Sequence, residues 1–468
     1  MAKFIGREKE RASFEALAGL KRPSLMVIRG RRRVGKSRLA AECAKGSIFL
    51  PFSGLAPDPQ KVVTAQDQRD AFGYQLSRHF KLPTMTFHDW SDAFHALENY
   101  LTAEPTVILF DEISWMAEED PTFVGKFKIW WDMVATRDCP WILILCGSVS
   151  TWIEKNIINS TALFGRISLQ IDLHSLLLPE CGHLLKEIGF NGSAYEIYKL
   201  LAVMGGVPWY LQHIHPQQMA DENIERLCFT PGGLLVDEFR KIFHDLFNTR
   251  GTLHQKIIYT LVDGMKTVKE IREVADLPDS GTTSSGIQDL IVSGFITKHA
   301  QWSLKSRKQA KQALYRLSDC FLRFYIRYIE QGIKPTVGGY GFQVESLLLQ
   351  NRSLLCKAIG IQSEDIIVDN PYLQKPTKMR KGCQIDYLIQ TVTNNLFLCE
   401  FKFHNRELGC EVVEEMEKKI KNLVVPRGYA VVPILFHISG VSPALEEKRY
   451  FYRIIDMCTF LDLHSKKQ

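Results

Sequence analysis

The sequence has no CxxC pair and no regular cysteine spacing; its eleven cysteines lie scattered along 468 residues. That argues against a disulfide framework or a cysteine-built zinc site and fits reduced thiols in the cytosol. Its longest apolar runs, such as Trp141–Cys146, fall far short of the roughly 20 residues that cross a bilayer. The opening MAKFIGREKE has no apolar export-signal core, so a cytoplasmic location is expected. Internal repeats and low-complexity stretches are absent. Excess charge is also scarce: 58 Lys and Arg against 52 Asp and Glu leave a net +6, which permits a nucleic-acid partner without demanding one.

What the chain does contain is ordinary globular material, 46% hydrophobic and 24% charged, at a length that calls for two to four domains. Up to about Ser175, apolar runs at 24–29, 47–52, 106–110, 141–146 and 167–173 alternate with amphipathic stretches. This is the pattern of a parallel α/β sheet. Residues 179–250 read as helical, and 251–331 as two helices, a third helix and a wing, ending in a helix over Cys320–Glu330. Gly332, Pro335, Gly338, Gly339 and Gly341 mark a linker, after which 332–468 alternates again as a separate α/β domain.

The run Leu25–Ile28 leads into Gly30-Arg31-Arg32-Arg33-Val34-Gly35-Lys36-Ser37, a full G-x-x-x-x-G-K-[ST] match, and a helical stretch follows from Arg38. Glycines let such a loop curl so that backbone N–H groups, at the positive end of a helix, face phosphate oxygens. Lys36 is placed to reach the β- and γ-phosphates of ATP, and the Ser37 hydroxyl to ligate Mg²⁺. A second apolar run, Val107–Phe110, ends in Asp111-Glu112. Carboxylates at the C-terminal end of a buried strand stand where open α/β sheets bind ligands. Asp111 is expected to hold Mg²⁺ through water and Glu112 to polarise the attacking water.

On these boxes, residues 4 to about 215 resemble an AAA+ ATPase, more narrowly the STAND-like branch. The resemblance implies further site residues. Phe4-Ile5-Gly6-Arg7-Glu8 resembles that family's GRE box near the adenine, which makes Arg7 a nucleotide contact. Ser148 matches the sensor-1 position, and Arg166 in Phe164-Gly165-Arg166 stands where the family has its arginine finger, which implies an oligomer. Gly206-Val207-Pro208 resembles the lid's G-x-P motif, with Pro208 touching the base. No arginine fits sensor 2.

The middle segment fits a winged helix-turn-helix: Lys256–Val262, Val268–Ala275, Thr282–Val292, then the wing. The third helix offers Thr282, Thr283, Ser284, Ser285 and Gln288 but no arginine. The wing carries Lys298, Lys305, Arg307, Lys308, Lys311 and Arg316 with no acidic residue. Such a patch suits DNA phosphates, which give affinity without sequence choice. Winged helices also serve as packing modules, and both readings stay open.

Toward the C-terminus, Gln384–Ile389, a turn at Asn394-Asn395 and Leu396–Lys402 read as a β-hairpin. Period-two geometry puts Glu400 and Lys402 on one face beside Asp386, a costly placement unless a metal or substrate uses it. The order Glu345, Asp386, Glu400-Phe401-Lys402 resembles the PD-(D/E)xK nuclease superfamily, although Ile385 stands where a proline is usual. The resemblance implies Glu345, Asp386 and Glu400 as Mg²⁺ ligands and Lys402 as the group that activates water. The charged run Glu411, Glu414, Glu415, Glu417, Lys418, Lys419, Lys421 reads as an exposed helix with i,i+4 pairs.

The expectation is therefore a multidomain α/β chain: a P-loop AAA+ ATPase core over 1–178, a helical lid over 179–250, a winged helix over 251–331 and a restriction-endonuclease-like domain over 332–468. Its expected action is on DNA, with ATP coupled to a metal-dependent nuclease. The alternative is a non-cleaving DNA-binding or signalling ATPase.

Overall fold

The computed structural model describes residues 3–57, 62–117, 119–148, 151–247, 251–376 and 381–462. The chain divides into two compact units, 1–175 and 176–468. Each is considered by itself.

In the first unit, β1 (Ser24–Gly30), β2 (Ile48–Ser53), β3 (Thr106–Asp111), β4 (Trp141–Ser148) and β5 (Ile167–Leu173) form one sheet in the order β2-β3-β4-β1-β5. Every neighbouring pair is parallel, as the five apolar runs predict. Successive residues point to opposite faces, and both faces are buried. Leu25, Val27, Ile108, Phe110, Leu143 and Leu145 join one core, whose aromatic half comes from Phe72, Trp90, Phe94, Phe123, Phe127 and Trp130. Met26, Ile28, Val107, Leu109, Ile142 and Ile144 join the other, closed by Phe14 and Leu17 of helix Glu8–Ala18 and by Leu39 and Ala40 of helix Lys36–Cys43. Packing on both sides fixes the strand ends, where the nucleotide motifs lie.

The second unit opens with helices Leu178–Glu187, Ala194–Met204, Ala220–Cys228 and Glu238–Phe247. Helices Gly251–Thr260, Val268–Ala275 and Gly281–Val292 follow, then the antiparallel hairpin of β6 (Ile296–Trp302) and β7 (Gln309–Leu317). The helix expected over Cys320–Glu330 runs as α-helix to Phe324 and as a π-turn over Tyr325–Ile329. Beyond helices Gly341–Gln350 and Arg352–Ile359 lies a mixed sheet of β8 (Ile366–Gln374), β9 (Cys383–Thr391), β10 (Asn395–Phe401), β11 (Ala430–His437) and β12 (Arg453–Asp456), ordered β12-β11-β10-β9-β8. The expected hairpin is the antiparallel pair β9–β10.

Two observations bind this unit together. The helices of 178–247 pack on its C-terminal part: the Tyr198 hydroxyl donates to Met457 O at 2.9 Å, and Tyr195 stacks on Phe403 at 4.7 Å between centroids. The wing packs there as well, with Trp302 and Leu304 inside the core formed by Ile385, Leu388, Leu396 and Leu398.

Candidate functional site

β1 ends at Gly30, where an added Cβ would stand 2.3 Å from Leu173 O. Only glycine lets the loop leave the sheet so close to β5. Arg33 (φ 69°) and Gly35 (φ 94°) turn the chain through left-handed conformations, and Gly35 caps helix Lys36–Cys43. Lys36 is buried and curls back over the loop, donating to Gly30 O and Arg31 O at 3.2 Å each. The Ser37 hydroxyl donates to Asp111 Oδ2 at 2.5 Å, so the helix start meets the end of β3. Around them stand Arg31, Arg32, Arg33 and Arg38, a concentration of positive charge suited to a polyphosphate.

Glu112 follows in a left-handed turn (φ 50°). Its Oε2 accepts the Ser148 backbone N–H at 3.4 Å, which brings the end of β4 to the acidic pair. Burial raises the Glu112 pKa, and the nearby Lys36 ammonium pulls it partly back. A carboxylate in that environment is poised to accept a proton or hold a water.

Arg7 is buried, and its guanidinium donates to Val34 O at 3.3 Å and His174 O at 2.5 Å. It thereby ties the phosphate loop to the segment after β5. Arg166 grips Asp132 with two hydrogen bonds, Nε to Oδ1 at 2.5 Å and Nη2 to Oδ2 at 3.0 Å. As an arginine finger it would have to leave that partner. Pro208 opens the short helix Pro208–Leu211 in the second unit.

Sequence reasoning missed two residues here. Arg29, one position before Gly30, pairs with Asp172 across β1–β5 and with Glu154. Gly54 approaches the acidic turn so closely that a Cβ would meet Glu112 O and Met116 at 3.0 Å. A lone charge inside an apolar strand was the available signal for the first.

The C-terminal candidates fare differently. Asp386 on β9 accepts the Phe401 N–H at 3.1 Å, and Phe401 turns its ring away onto Phe436. Glu400 and Lys402 lie 3.1 Å apart, as period two requires. Glu345, however, does not complete a ligand set. It lies in the second turn of helix Gly341–Gln350, and its Oε1 accepts from Arg316 at 2.6 Å in a buried pair. Among the described residues no three His, Cys, Asp or Glu side chains gather as a metal site.

The charged helix Glu411–Asn422 is not simply solvated. Lys419 donates to Glu400 Oε2 and stands 3.6 Å from Asp386 Oδ1, and Lys402 Nζ reaches Glu415 Oε2 at 2.6 Å. Burial and the neighbouring Glu400 push the Asp386 pKa well above the usual carboxylate range, while Lys419 acts in the opposite sense. Burial alone would lower Lys419, but Asp386 and Glu400 more than offset it, so its pKa is raised. The residues present therefore fit a carboxylate–ammonium cluster and do not fit a divalent-ion cage.

In the wing, Lys298, Lys305 and Lys308 are exposed. Arg307 is instead engaged within the unit, donating to Tyr429 Oη at 2.8 Å and Asn394 Oδ1 at 2.6 Å. Arg316 is buried on Glu345 and offers DNA nothing. The Lys311 side chain lies outside the described residues. The hairpin thus packs within its unit, and two of the six cations read as facing DNA, Arg307 and Arg316, are engaged there.

No protein-family model matches the chain. An uncharacterised protein of Methanocaldococcus jannaschii, MJECL04, is 23% identical over 358 residues, which cover 74% of this chain and 72% of its own. Among solved structures, a Walker-type ATPase of Pyrococcus abyssi superposes with a TM-score of 0.51 at 15% identity, covering 69% of this chain and 96% of that one. The ORC2 protein of Aeropyrum pernix gives 0.43 at 13% identity, over 75% and 97%. The chain is multidomain α/β, with a fold similar to that of the Pyrococcus Walker-type ATPase, a helical region and further sheets.

Proposed function

We propose that this chain binds ATP with Mg²⁺ at Gly30–Ser37 and hydrolyses it, and that its second unit binds DNA. The observation that carries the first part is the meeting of the two nucleotide boxes, Ser37 Oγ against Asp111 Oδ2 at 2.5 Å with Glu112 next in line. In this reading Lys36 exchanges its bonds to Gly30 O and Arg31 O for phosphate oxygens, and Gly30, Arg33, Val34, Gly35 and Arg38 shape or charge the cradle. Ser37 and Asp111 hold Mg²⁺, which neutralises charge on the phosphates. Glu112 orients the water, with the Ser148 N–H steadying its carboxylate. Arg7 keeps the loop in shape from behind. Arg166 serves a neighbouring copy once freed from Asp132, which implies a homo-oligomer in the active state.

The second unit would meet DNA phosphates through Lys298, Lys305 and Lys308. A DNA-cutting C-terminal domain is the second reading, favoured by Asp386, Glu400 and Lys402 standing on adjacent strands; without cutting, the same domain serves binding or signalling.

Titration with a fluorescent ATP analogue in Mg²⁺ tests the first part. Lys36→Ala should weaken binding at least tenfold, about 1.4 kcal/mol, with an unchanged melting temperature. Equal affinity would remove Lys36, and with it the phosphate site.

A further inference from the structure

Residues 448–453 read Lys448-Arg449-Tyr450-Phe451-Tyr452-Arg453, and every one is basic or aromatic. They lead from helix Pro443–Glu447 into β12, at the edge of the C-terminal sheet. Phe451 is buried and Tyr450 half-buried, both against the core of Leu396, Leu398 and Met416. A left-handed turn at Arg449 (φ 45°) and the Tyr452 N–H bond to Pro433 O at 2.9 Å fix the path between them. Lys448, Arg449, Tyr452 and Arg453 are left facing solvent, Tyr452 at 61% exposure.

Two features set this strip apart from an ordinary solvated turn. Its cations are uncompensated: among the described residues Lys448, Arg449 and Arg453 form no ion pair. The acidic residues nearest in the chain look elsewhere, since Glu446 and Glu447 lie upstream on the helix and Asp456 Oδ1 accepts the Cys458 N–H at 2.8 Å. Its exposed ring is also held in place. The Arg453 guanidinium stands 5.8 Å from the Tyr452 ring centre, and Phe397 meets that ring edge-on at 6.4 Å between centroids.

An exposed, oriented aromatic ring among unpaired cations suits a single strand, whose bases stack on the ring while its phosphates meet the cations. Duplex bases already stack on one another and cannot use the ring. The surroundings agree. Arg307 anchors the wing turn on Asn394 and Tyr429, just before β10 and β11 begin. Pro433, which holds Tyr452, lies three residues, about 10 Å, along β11 from Ala430. The exposed Lys305 and Lys308 thus stand at the same end of the sheet.

We propose that Lys448–Arg453 binds an unpaired stretch of DNA, with a base stacked on Tyr452 and phosphates on Arg449 and Arg453. The inference rests on the reading of the second unit as DNA-binding and adds strandedness, which the wing lysines do not decide.

Fluorescence anisotropy of the full chain without nucleotide, on labelled oligo(dT) and on a blunt duplex, tests it. Wild type should bind oligo(dT). Tyr452→Ala should weaken that binding by about fivefold or more and leave duplex affinity and melting temperature unchanged, while Tyr452→Phe keeps wild-type affinity. Replacing Arg449 and Arg453 together by alanine should reduce the salt slope on oligo(dT) by up to about 1.4. Equal oligo(dT) affinity in wild type and Tyr452→Ala, or a wild type that binds the duplex but not oligo(dT), overturns the inference and leaves the wing reading standing. Binding of oligo(dT) that depends on Tyr452, with no binding of duplex, supports the inference and rejects the wing contact alone. Binding of neither DNA overturns both.

Discussion

Replacing Trp302 by alanine removes the largest apolar group that the β6–β7 hairpin inserts among the C-terminal strands. Trp302 is 4% exposed, its ring meets Tyr372 edge-on at 5.2 Å, and its indole N–H donates to Gln390 Oε1 at 2.9 Å. Truncating a buried aromatic costs about 3–5 kcal/mol through lost burial and the cavity left behind. Gln390 is fully buried and also loses a donor, which costs about 1–3 kcal/mol. These effects overlap, so a total near 4–6 kcal/mol is expected, a large share of the stability of an ordinary domain, about 5–15 kcal/mol. Trp302→Phe keeps most of the ring and should isolate the hydrogen-bond loss. Hydrogen exchange read by mass spectrometry would locate the damage: β6, β8 and β9 should exchange faster, while β1, β3 and β4 of the first unit keep their protection. A Trp302→Ala cost below about 1 kcal/mol in urea melts, with unaltered exchange in β9, would refute the reasoning that the wing is a structural member of this unit.

Acid sensitivity should centre on His299. Burial pushes its imidazole from 6.5 down to about 4, with Arg352 and Arg316 adding to the effect, so it stays neutral when folded while the unfolded chain takes up a proton. The stability it contributes is present above pH 6.5 and lost as pH falls toward 4, about 3 kcal/mol at the lower end. Urea midpoints of His299→Gln should therefore depend less on pH than those of wild type, and parallel profiles would contradict this. Gly30→Ala forces a Cβ against Leu173 O and should cost about 1–3 kcal/mol together with ATP affinity; an unchanged melting temperature would deny the close approach. Lys305→Ala with Lys308→Ala should weaken DNA binding and reduce its salt slope by up to about 2, as fluorescence anisotropy across salt would show. Arg307→Ala should chiefly lower stability, because its partners are Tyr429 and Asn394. Identical salt slopes in the double variant would remove the wing as a DNA contact.

How much was legible in the sequence depended on how locally each feature is determined. The parallel sheet followed from five apolar runs, because strands buried on both faces have little choice of residue. The phosphate loop was legible for the same reason: Gly30, Gly35, Lys36 and Ser37 act within eight positions. What escaped depends on which partner a side chain finds across space. Lys419 looked solvated among its charged neighbours, yet it continues the apolar stripe of Val412 and Met416, and that spacing was the available signal. Arg316 looked like a wing cation, although it alternates with Leu314 on the buried face of β7. Glu345 was read as a ligand in waiting, and nothing local could reveal that Arg316 claims it. Arg166 posed the same difficulty, since only the fold brings Asp132 to it.

The central claim is that Ser37, Asp111 and Glu112 converge on a working ATPase centre. Steady-state phosphate release at saturating Mg²⁺ and ATP, comparing wild type with Glu112→Gln, tests it most directly. The account predicts that Glu112→Gln still binds ATP with near wild-type affinity but turns it over at least ten times more slowly, within the range for losing a group that positions water. Unchanged turnover in Glu112→Gln, or no turnover by wild type in any oligomeric state, would contradict it.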